Sequence, residues 1–451
     1  MRLSSFSTPA RAPLARAAHA ERGEAHRWRV LAVGVLANVA FSAAAAGIPT
    51  TAISLRSAYR LDNGALGIVI GALGLGVAVF EVPWGLAADR WGDRRVLLIG
   101  LAAMAAMLAT MAAGMVPHGG WTPPLAWLVA AMALTGLTGG SVNGASGRAV
   151  MRWFRDHERG LAMSIRQTAV PLGGGLGAAL LPPLAAHAGF AAVFGVLGGF
   201  VALAALLTWR WLHEPPGDEV TPVAGSAGNA GNAGNAGATE TTRTTGAVNA
   251  ASASATQSLR DPTLRRLVLG IGLLCAPQFA ILSFATVFLH DFAGFSTARI
   301  GIAMVTIQLG AMVSRVWSGR ATDRRGNRRA FVRGTVGLAL ALFAALVAAT
   351  FAASEARSAL TIDLAALLLV AAGIAVSAWH GVAYAELATM AGAQRAGTAL
   401  GMANTVVYAG YFLTPLAIPA LLAWGGWQLV WLAAAAVVLL ALPCFPRAAA
   451  R

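Results

Sequence analysis

The sequence predicts an all-α integral membrane protein of twelve transmembrane helices, arranged as two pseudo-symmetric six-helix bundles. Three observations carry this. Charged residues make up 11% of the 451-residue chain, less than half the roughly 25% of a soluble globular protein, so the polar shell of a soluble fold is missing. The apolar residues fall in long runs. The runs form two sets of six around one polar stretch, and a basic motif recurs at the same place in each set.

The elements follow in order. Residues 1–28 form a polar, arginine-bearing tail with no short apolar segment and cleavage site before the first long run, so the tail is expected to be retained. Apolar runs lie near 29–55, 64–88, 96–116, 125–150, 160–186 and 189–212 (spans 1–6). A second set lies near 264–290, 298–320, 331–353, 361–388, 396–422 and 427–446 (spans 7–12). Each run has about 20 residues or more, enough to cross ~30 Å of hydrocarbon at ~1.5 Å per residue. The two bundles thus occupy 29–212 and 263–446. Between them, 213–262 carries Gly-Asn-Ala units from Gly228 to Gly237 among serines and threonines. That composition buries too little apolar surface to fold, which predicts a disordered cytoplasmic linker. Residues 447–451 form a short C-terminal tail.

Arginine accounts for all 33 basic side chains, so the chain has no lysine. Chemistry that needs a lysine amine, such as a Walker A loop or a Schiff base, is excluded. Of the arginines, 26 fall on the side of the tails, the linker and the loops after spans 2, 4, 8 and 10, and four fall on the other side. The remaining three, Arg148, Arg166 and Arg315, lie within spans. This asymmetry predicts that both termini are cytoplasmic, as in a bacterial inner-membrane protein. It also explains the net charge of +15 without nucleic acid. Cys275 and Cys444 sit in apolar runs and read as free thiols. The histidines and acids show no metal-ligand spacing and no catalytic triad, so no enzyme, metal or cofactor is expected.

After span 2 the chain reads Gly85-Leu-Ala-Ala-Asp89-Arg90-Trp-Gly92-Asp-Arg94-Arg95. After span 8 it reads Gly319-Arg-Ala-Thr-Asp323-Arg324-Arg-Gly326-Asn-Arg328-Arg329. The offset is 234 residues throughout, and seven of eleven positions are identical. Two such loops at corresponding places mean an internal repeat, an architecture of transporters whose site lies between the halves. With this motif the sequence resembles the major facilitator superfamily over nearly the whole chain. The resemblance implies that family's twelve-helix fold and a gating role for the twelve residues named by number in the two loops. Gly85 is expected to allow close helix approach, Gly92 a tight turn, and Asp89 to accept hydrogen bonds from loop arginines. Arg90, Arg94 and Arg95 are expected in water or on lipid phosphates. Topology control alone is the competing account. Arg159 and Arg395, opening spans 5 and 11, extend the repeat. Two departures stand out. Met132 replaces the arginine that many proton-coupled members carry four residues before a glycine like Gly136. The antiporter pattern Gly-Pro-x-x-Gly-Gly survives only as Val170-Pro171-Leu172-Gly173-Gly174-Gly175, and the glycines read as helix packing and bending.

Charges inside the membrane are costly and point to function. Glu81 and Arg315 are equivalent by the 234 offset with opposite signs, and Arg148 and Glu386 are nearly so. The expectation is one pair per half, Glu81 with Arg148 and Arg315 with Glu386, against snorkelling of Arg148 and Glu386 to the interface. Arg166 has no evident acidic partner and suits an anionic substrate group. Gln167, Asn38, Asn143, Gln278, His380, Asn404 and Tyr408 complete the candidate binding set, each alternatively a helix–helix hydrogen bond or, for His380, a structural imidazole. The function expected is secondary active transport of a small organic anion by a monomer in the lipid bilayer, coupled to protons, by alternating access. A hydrophobic-compound exporter working by proton antiport, or a non-transporting sensor with the same fold, are the alternatives.

Overall fold

The computed structural model describes residues 23–154, 162, 165–213, 261–391 and 396–445. The expected N-terminal tail and linker lie almost wholly outside these residues, as do Arg159 and Arg395. Among the described residues, ten helices are long and apolar enough to cross a membrane. Two of them, Ile165–Trp211 and Ala399–Cys444, run for 47 and 46 residues. At ~1.5 Å per residue each is about 70 Å long, more than twice the hydrocarbon thickness. Both are interrupted. Gly189 adopts φ 71° and ψ −178° in the first, and Gly425 and Gly426 leave helical geometry in the second. Each therefore makes two spans, and the chain crosses twelve times.

Span 1 is Gly23–Ala45, continued by a 3-10 turn at Ile48–Thr51 and the short helix Ala52–Ala58. Span 2 is Asn63–Trp91, span 3 Asp93–Gly114, span 7 Pro262–Val287, span 8 Thr297–Arg325 and span 9 Arg328–Glu355. Spans 4 and 10 are each broken mid-membrane. Leu125–Gly139 passes at Gly140 into Ser141–Trp153, and Ala359–Ala378 passes at Trp379 into His380–Ala391.

The repeat reaches the helix caps. Asp62 caps span 2 by accepting from the Ala65 amide at 2.7 Å. Ser296, 234 residues later, caps span 8 by accepting from the Arg299 amide at 3.5 Å. Gly92 and Gly326, the same distance apart, end spans 2 and 8 with φ of 83° and 61°. A side chain would be strained at that dihedral, so the motif glycine makes the turn into the next span possible.

Spans 1 and 7 are the most enclosed, each 72% buried over its most apolar stretch, and so form the inner wall between the halves. The inter-half contacts come in a symmetric pair. Span 2 lies against the Ala396–Ala441 helix, and span 8 lies against the Ala169–Trp211 helix. On span 2, Gly67 and Gly71 face Pro415, Phe412 and Leu416 so closely that an added Cβ at Gly67 would sit 2.2 Å from the Pro415 carbonyl oxygen. Within the first half, Gly173 and Gly177 press span 5 onto span 1, with the Cβ position of Gly177 2.5 Å from the Gly47 Cα. The glycine run is thus a packing surface, as small residues are between membrane helices.

Two matched substitutions test this surface. Gly177→Ala forces backbone away from backbone and lowers the thermal midpoint in detergent, at an overpacking cost of about 1–3 kcal/mol. Gly195→Ala, whose Cβ would meet nothing within 4 Å, leaves it unchanged. Equal midpoints for the two variants would remove the packing role.

Candidate functional site

The breaks in spans 4 and 10 bring polar side chains to the middle of the protein. Just past the first break stand Asn143 and Ser146, and at the second His380 and Tyr384. Arg166 reaches into the first group and is 7% exposed. Its Nε donates to Ser146 Oγ at 3.1 Å, and its Nη2 donates to Ser146 Oγ at 2.9 Å and to the Asn143 carbonyl at 2.7 Å. Ser146 is held in turn by Asn38 Nδ2 at 2.9 Å and by its own bond to the Val142 carbonyl. No carboxylate among the described residues lies within ion-pair distance of Arg166. Glu81 is near enough to interact with it by charge.

The group continues across to the second half. Asn143 Nδ2 donates to the Tyr408 hydroxyl at 2.5 Å. Asn404 Nδ2 donates to Glu81 Oε1 at 3.2 Å, and the Tyr384 hydroxyl donates to Asn404 Oδ1 at 3.0 Å. The other carboxylate oxygen, Glu81 Oε2, is buried without a hydrogen-bond partner. His380 stacks on Tyr384 with ring centroids 5.0 Å apart, and its Nδ1 is buried without a hydrogen-bond partner among the described residues. Gln278 Nε2 donates to Ser377 Oγ at 3.3 Å. Gln167 makes no hydrogen bond among the described residues and stands apart from this network.

The expected charge pairs form differently. Arg148 does not meet Glu81. Its Nε donates to Asp93 Oδ1 at 3.0 Å, and Arg152 approaches the other oxygen at 3.6 Å. Arg315 does not meet Glu386, which instead accepts from Arg329 Nε at 2.6 Å. The physical reason lies in the turn at Gly92. It tucks Asp93, the first residue of span 3, under span 4, where a helix N-terminus and two arginines stabilise the buried carboxylate. In the second half the equivalent residue is neutral Asn327, and the sign is inverted through Arg329 and Glu386. The first half thus clamps its motif loop to span 4 through Asp93 with Arg148 and Arg152, and the second clamps its loop to span 10 through Arg329 with Glu386.

Other motif residues also depart from expectation. An added Cβ at Gly85 or Gly319 meets nothing within 4 Å, so neither mediates a close helix approach. Arg94 donates to the Trp209 carbonyl at 2.9 Å instead of resting in solvent or lipid. Arg90, Arg95 and Arg324 are exposed. Asp323 accepts from Arg328 at 2.7 Å, while the side chain of Asp89 lies outside the described residues.

The two ends of the protein differ. At the end away from the motif loops, Arg56 makes a two-pronged bond to Asp291, at 2.5 and 2.7 Å, and His290 Nδ1 lies 2.7 Å from the same carboxylate. Nearby the Tyr411 hydroxyl donates to the Ala45 carbonyl. Both bonds join the halves. At the motif end a cleft of about 590 Å³ opens between Thr168 and the face of span 8 that carries Met312, Val316, Trp317, Arg320 and Arg324. The halves are thus joined by side-chain bonds at the end away from the motif loops. Sequence reasoning missed Ser146, Tyr384 and the Arg56–Asp291 latch. The latch did leave a signal: its members are 235 residues apart, within one residue of the repeat, and opposite in sign.

This architecture, with its repeated loops and a polar centre shared by two halves, is that of a membrane transporter. The chain belongs to the Major Facilitator Superfamily, whose sequence profile matches residues 33–362. Two uncharacterized MFS-type transporters of Mycobacterium tuberculosis, from strains CDC 1551 / Oshkosh and ATCC 25618 / H37Rv, are each 28% identical over 393 residues, covering 85% of this chain and 76% of the relative. A probable anion transporter of Arabidopsis thaliana is 29% identical over 162 residues, 36% of each chain. Among solved structures, a D-xylose-proton symporter superposes with TM-score 0.70 at 18% identity, covering 93% of this chain and 98% of that one. A bacterial homologue of the human lysosomal transporter Spinster, in an inward-facing and unoccupied conformation, gives 0.67 at 16% identity, covering 94% and 98%.

Double-mutant cycles on the thermal midpoint distinguish the observed pairs from the expected ones. Alanine at Arg148 and Asp93 gives a coupling of about 0.5–3 kcal/mol, towards the lower end because the arginine is partly solvated. Alanine at Arg148 and Glu81 is additive. The reverse pattern would restore the pairing first expected.

Proposed function

We propose that this transporter moves a small organic anion across the membrane together with a proton, by alternating access. The observation that carries the reading is Arg166: a guanidinium on span 5 that is buried within the protein, held by neutral oxygens and without a carboxylate at ion-pair distance among the described residues. Such a cation is costly unless water or an anion completes it. Its Nη1 makes no hydrogen bond to the described residues and is free to donate to a carboxylate or phosphate. The probable anion transporter among the relatives supports the same substrate class.

Glu81 is our choice for the proton carrier. Its Oε2 is buried and unpaired, where a proton relieves the cost of a buried charge. Asn404 and Asn143 bring both halves to it, so its protonation state is felt at the interface that must rearrange. The arginine asymmetry orients the motif end to the cytoplasm of a bacterial inner membrane, with both termini inside. The latched end then faces outward. Turnover breaks the Arg56–Asp291 bond and closes the motif loops over the cleft. The polar centre weighs against export of hydrophobic compounds, and the opposed latch and cleft weigh against a sensor that does not cycle. The working unit is a monomer.

Purified protein in liposomes, with an acid-outside pH gradient and labelled lactate, succinate or inorganic phosphate, tests the reading. Wild type accumulates at least one of them uphill. Arg166→Gln lowers its affinity by roughly 10–150-fold, the loss of a charge-assisted bond of ~1.5–3 kcal/mol. Arg166→Lys retains part, since it keeps the charge and loses the planar fork. Uptake by Arg166→Gln at the wild-type rate would make Arg166 structural and end the anion assignment. Glu81→Gln keeps exchange between equal pools and loses uphill accumulation; full accumulation in that variant moves the proton elsewhere.

The latch makes a separate prediction. Asp291→Asn removes the charge while nearly preserving shape. Spin labels on the 1–2 and 7–8 loops then report a broader, longer distance distribution than in wild type. An unchanged distribution would mean that other contacts hold this end closed.

A further inference from the structure

The proposed anion site uses one arginine, but a second stands in the same network. Arg315 was expected to pair with Glu386, and that acid is taken by Arg329. What Arg315 does have is one bond from Nε to the Ser377 carbonyl at 3.1 Å. Its titratable neighbours are the neutral side chains of Cys275 and Tyr384, with His380 alongside, and no carboxylate is among them. Its side chain is partly buried. Its two Nη groups make no hydrogen bond to the described residues.

The position of Arg315 is not arbitrary. It is the 234-residue equivalent of Glu81, and both residues lie within charge range of Tyr384. A chain of contacts joins the two arginines. Tyr384, beside Arg315, bonds Asn404. Asn404 bonds Glu81, and Glu81 neighbours both Asn143 and Arg166. Each arginine offers unused N–H groups at its own end of this chain, one from each half.

We propose that Arg166 and Arg315 together form a two-ended cationic clamp, and that the substrate is a dianion such as a short dicarboxylate, one acidic group on each arginine. This rests on the organic-anion reading above and narrows it. Charge balance supports it. With Glu81 protonated, the two guanidiniums carry +2 and a dianion brings the centre to zero. With Glu81 ionised and the dianion bound, one negative charge is left over, which is costly in a low-dielectric site. Dianion and proton are thereby bound together, one of each, and each stabilises the other. Because the clamp spans both halves, only a ligand with two acidic ends holds them at the separation that closure requires.

The test pairs acids of equal carbon number against purified full-length protein: malonate with propionate, succinate with butyrate, glutarate with valerate. Affinity is read by ligand-dependent thermal stabilisation and by competition for uptake. At least one dicarboxylate is expected to bind tenfold or more tightly than its monocarboxylate partner. Arg315→Gln is expected to bring that ratio close to one, while Arg166→Gln weakens both members of the pair. Arg315→Lys keeps part of the preference, and serves if the glutamine variant does not fold. The wild-type comparison decides the matter whatever the variants do. Equal binding of both classes, still dependent on Arg166, would overturn the clamp and leave the anion reading standing. No binding by any of the six acids would overturn both.

Discussion

A guanidinium inside a membrane protein has to be satisfied, and the arrangement of this chain turns on how its intramembrane arginines meet that demand. Arg148 finds Asp93, a carboxylate already favoured by the N-terminus of span 3. That pair fixes a motif loop and is structural. Arg166 and Arg315 find only hydroxyl and carbonyl oxygens. Neutral oxygens orient a guanidinium without discharging it, so the residual charge is available to whatever enters between the halves. One residue type is thus bolted to a carboxylate in one place and held by neutral oxygens alone in two others, and the nearest carboxylate decides which.

The pseudo-twofold repeat explains why these groups meet. Arg56 and Asp291, 235 residues apart and opposite in sign, meet at one end. Where the repeat is imperfect the chemistry diverges. Asp93 became Asn327 in the second half, and the clamp on that side inverted to Arg329 with Glu386. The duplication supplies a symmetric frame, and sign changes within it supply attraction between the halves.

Much of this was legible in the sequence, for reasons that can be named. Hydropathy set the twelve crossings because a membrane helix needs a long apolar run and little else. The six-plus-six division followed from a motif copied without a change in spacing. The turn glycines Gly92 and Gly326 were readable because only glycine suits their backbone angle. The choice of partner for each charge was not. A sign-reversed pair of equivalent positions says that two residues matter in the same way, not that either touches a given third residue. Arg148 and Glu386 find their partners on span 3 and span 9, reached because a tight turn folds those residues underneath. Gln167 shows the converse. Its neighbourhood with Arg166 in sequence suggested a shared site, but adjacent residues on a helix point in different directions. Ser146 had no signal beyond its place three residues after Asn143, one helical turn away.

The latch and the cleft together limit what a cycle can look like. The Arg56–Asp291 pair is partly solvated, so its strength is modest and it can be broken by ordinary rearrangement. The glycine contacts beside it, Gly67 and Gly71 against span 11, have no such give, because backbone meets backbone. Opening that end therefore means separating a packed seam and not only releasing a salt bridge. In the proposed cycle the loss of contact there is met by new contact at the motif end, where a cleft lies between Thr168 and span 8. Between these ends lies the polar centre, contributed equally by the two halves. A rigid rocking of one half against the other about that centre satisfies all three constraints, since it exchanges one seam for the other while keeping Arg166, Glu81 and Arg315 near the pivot.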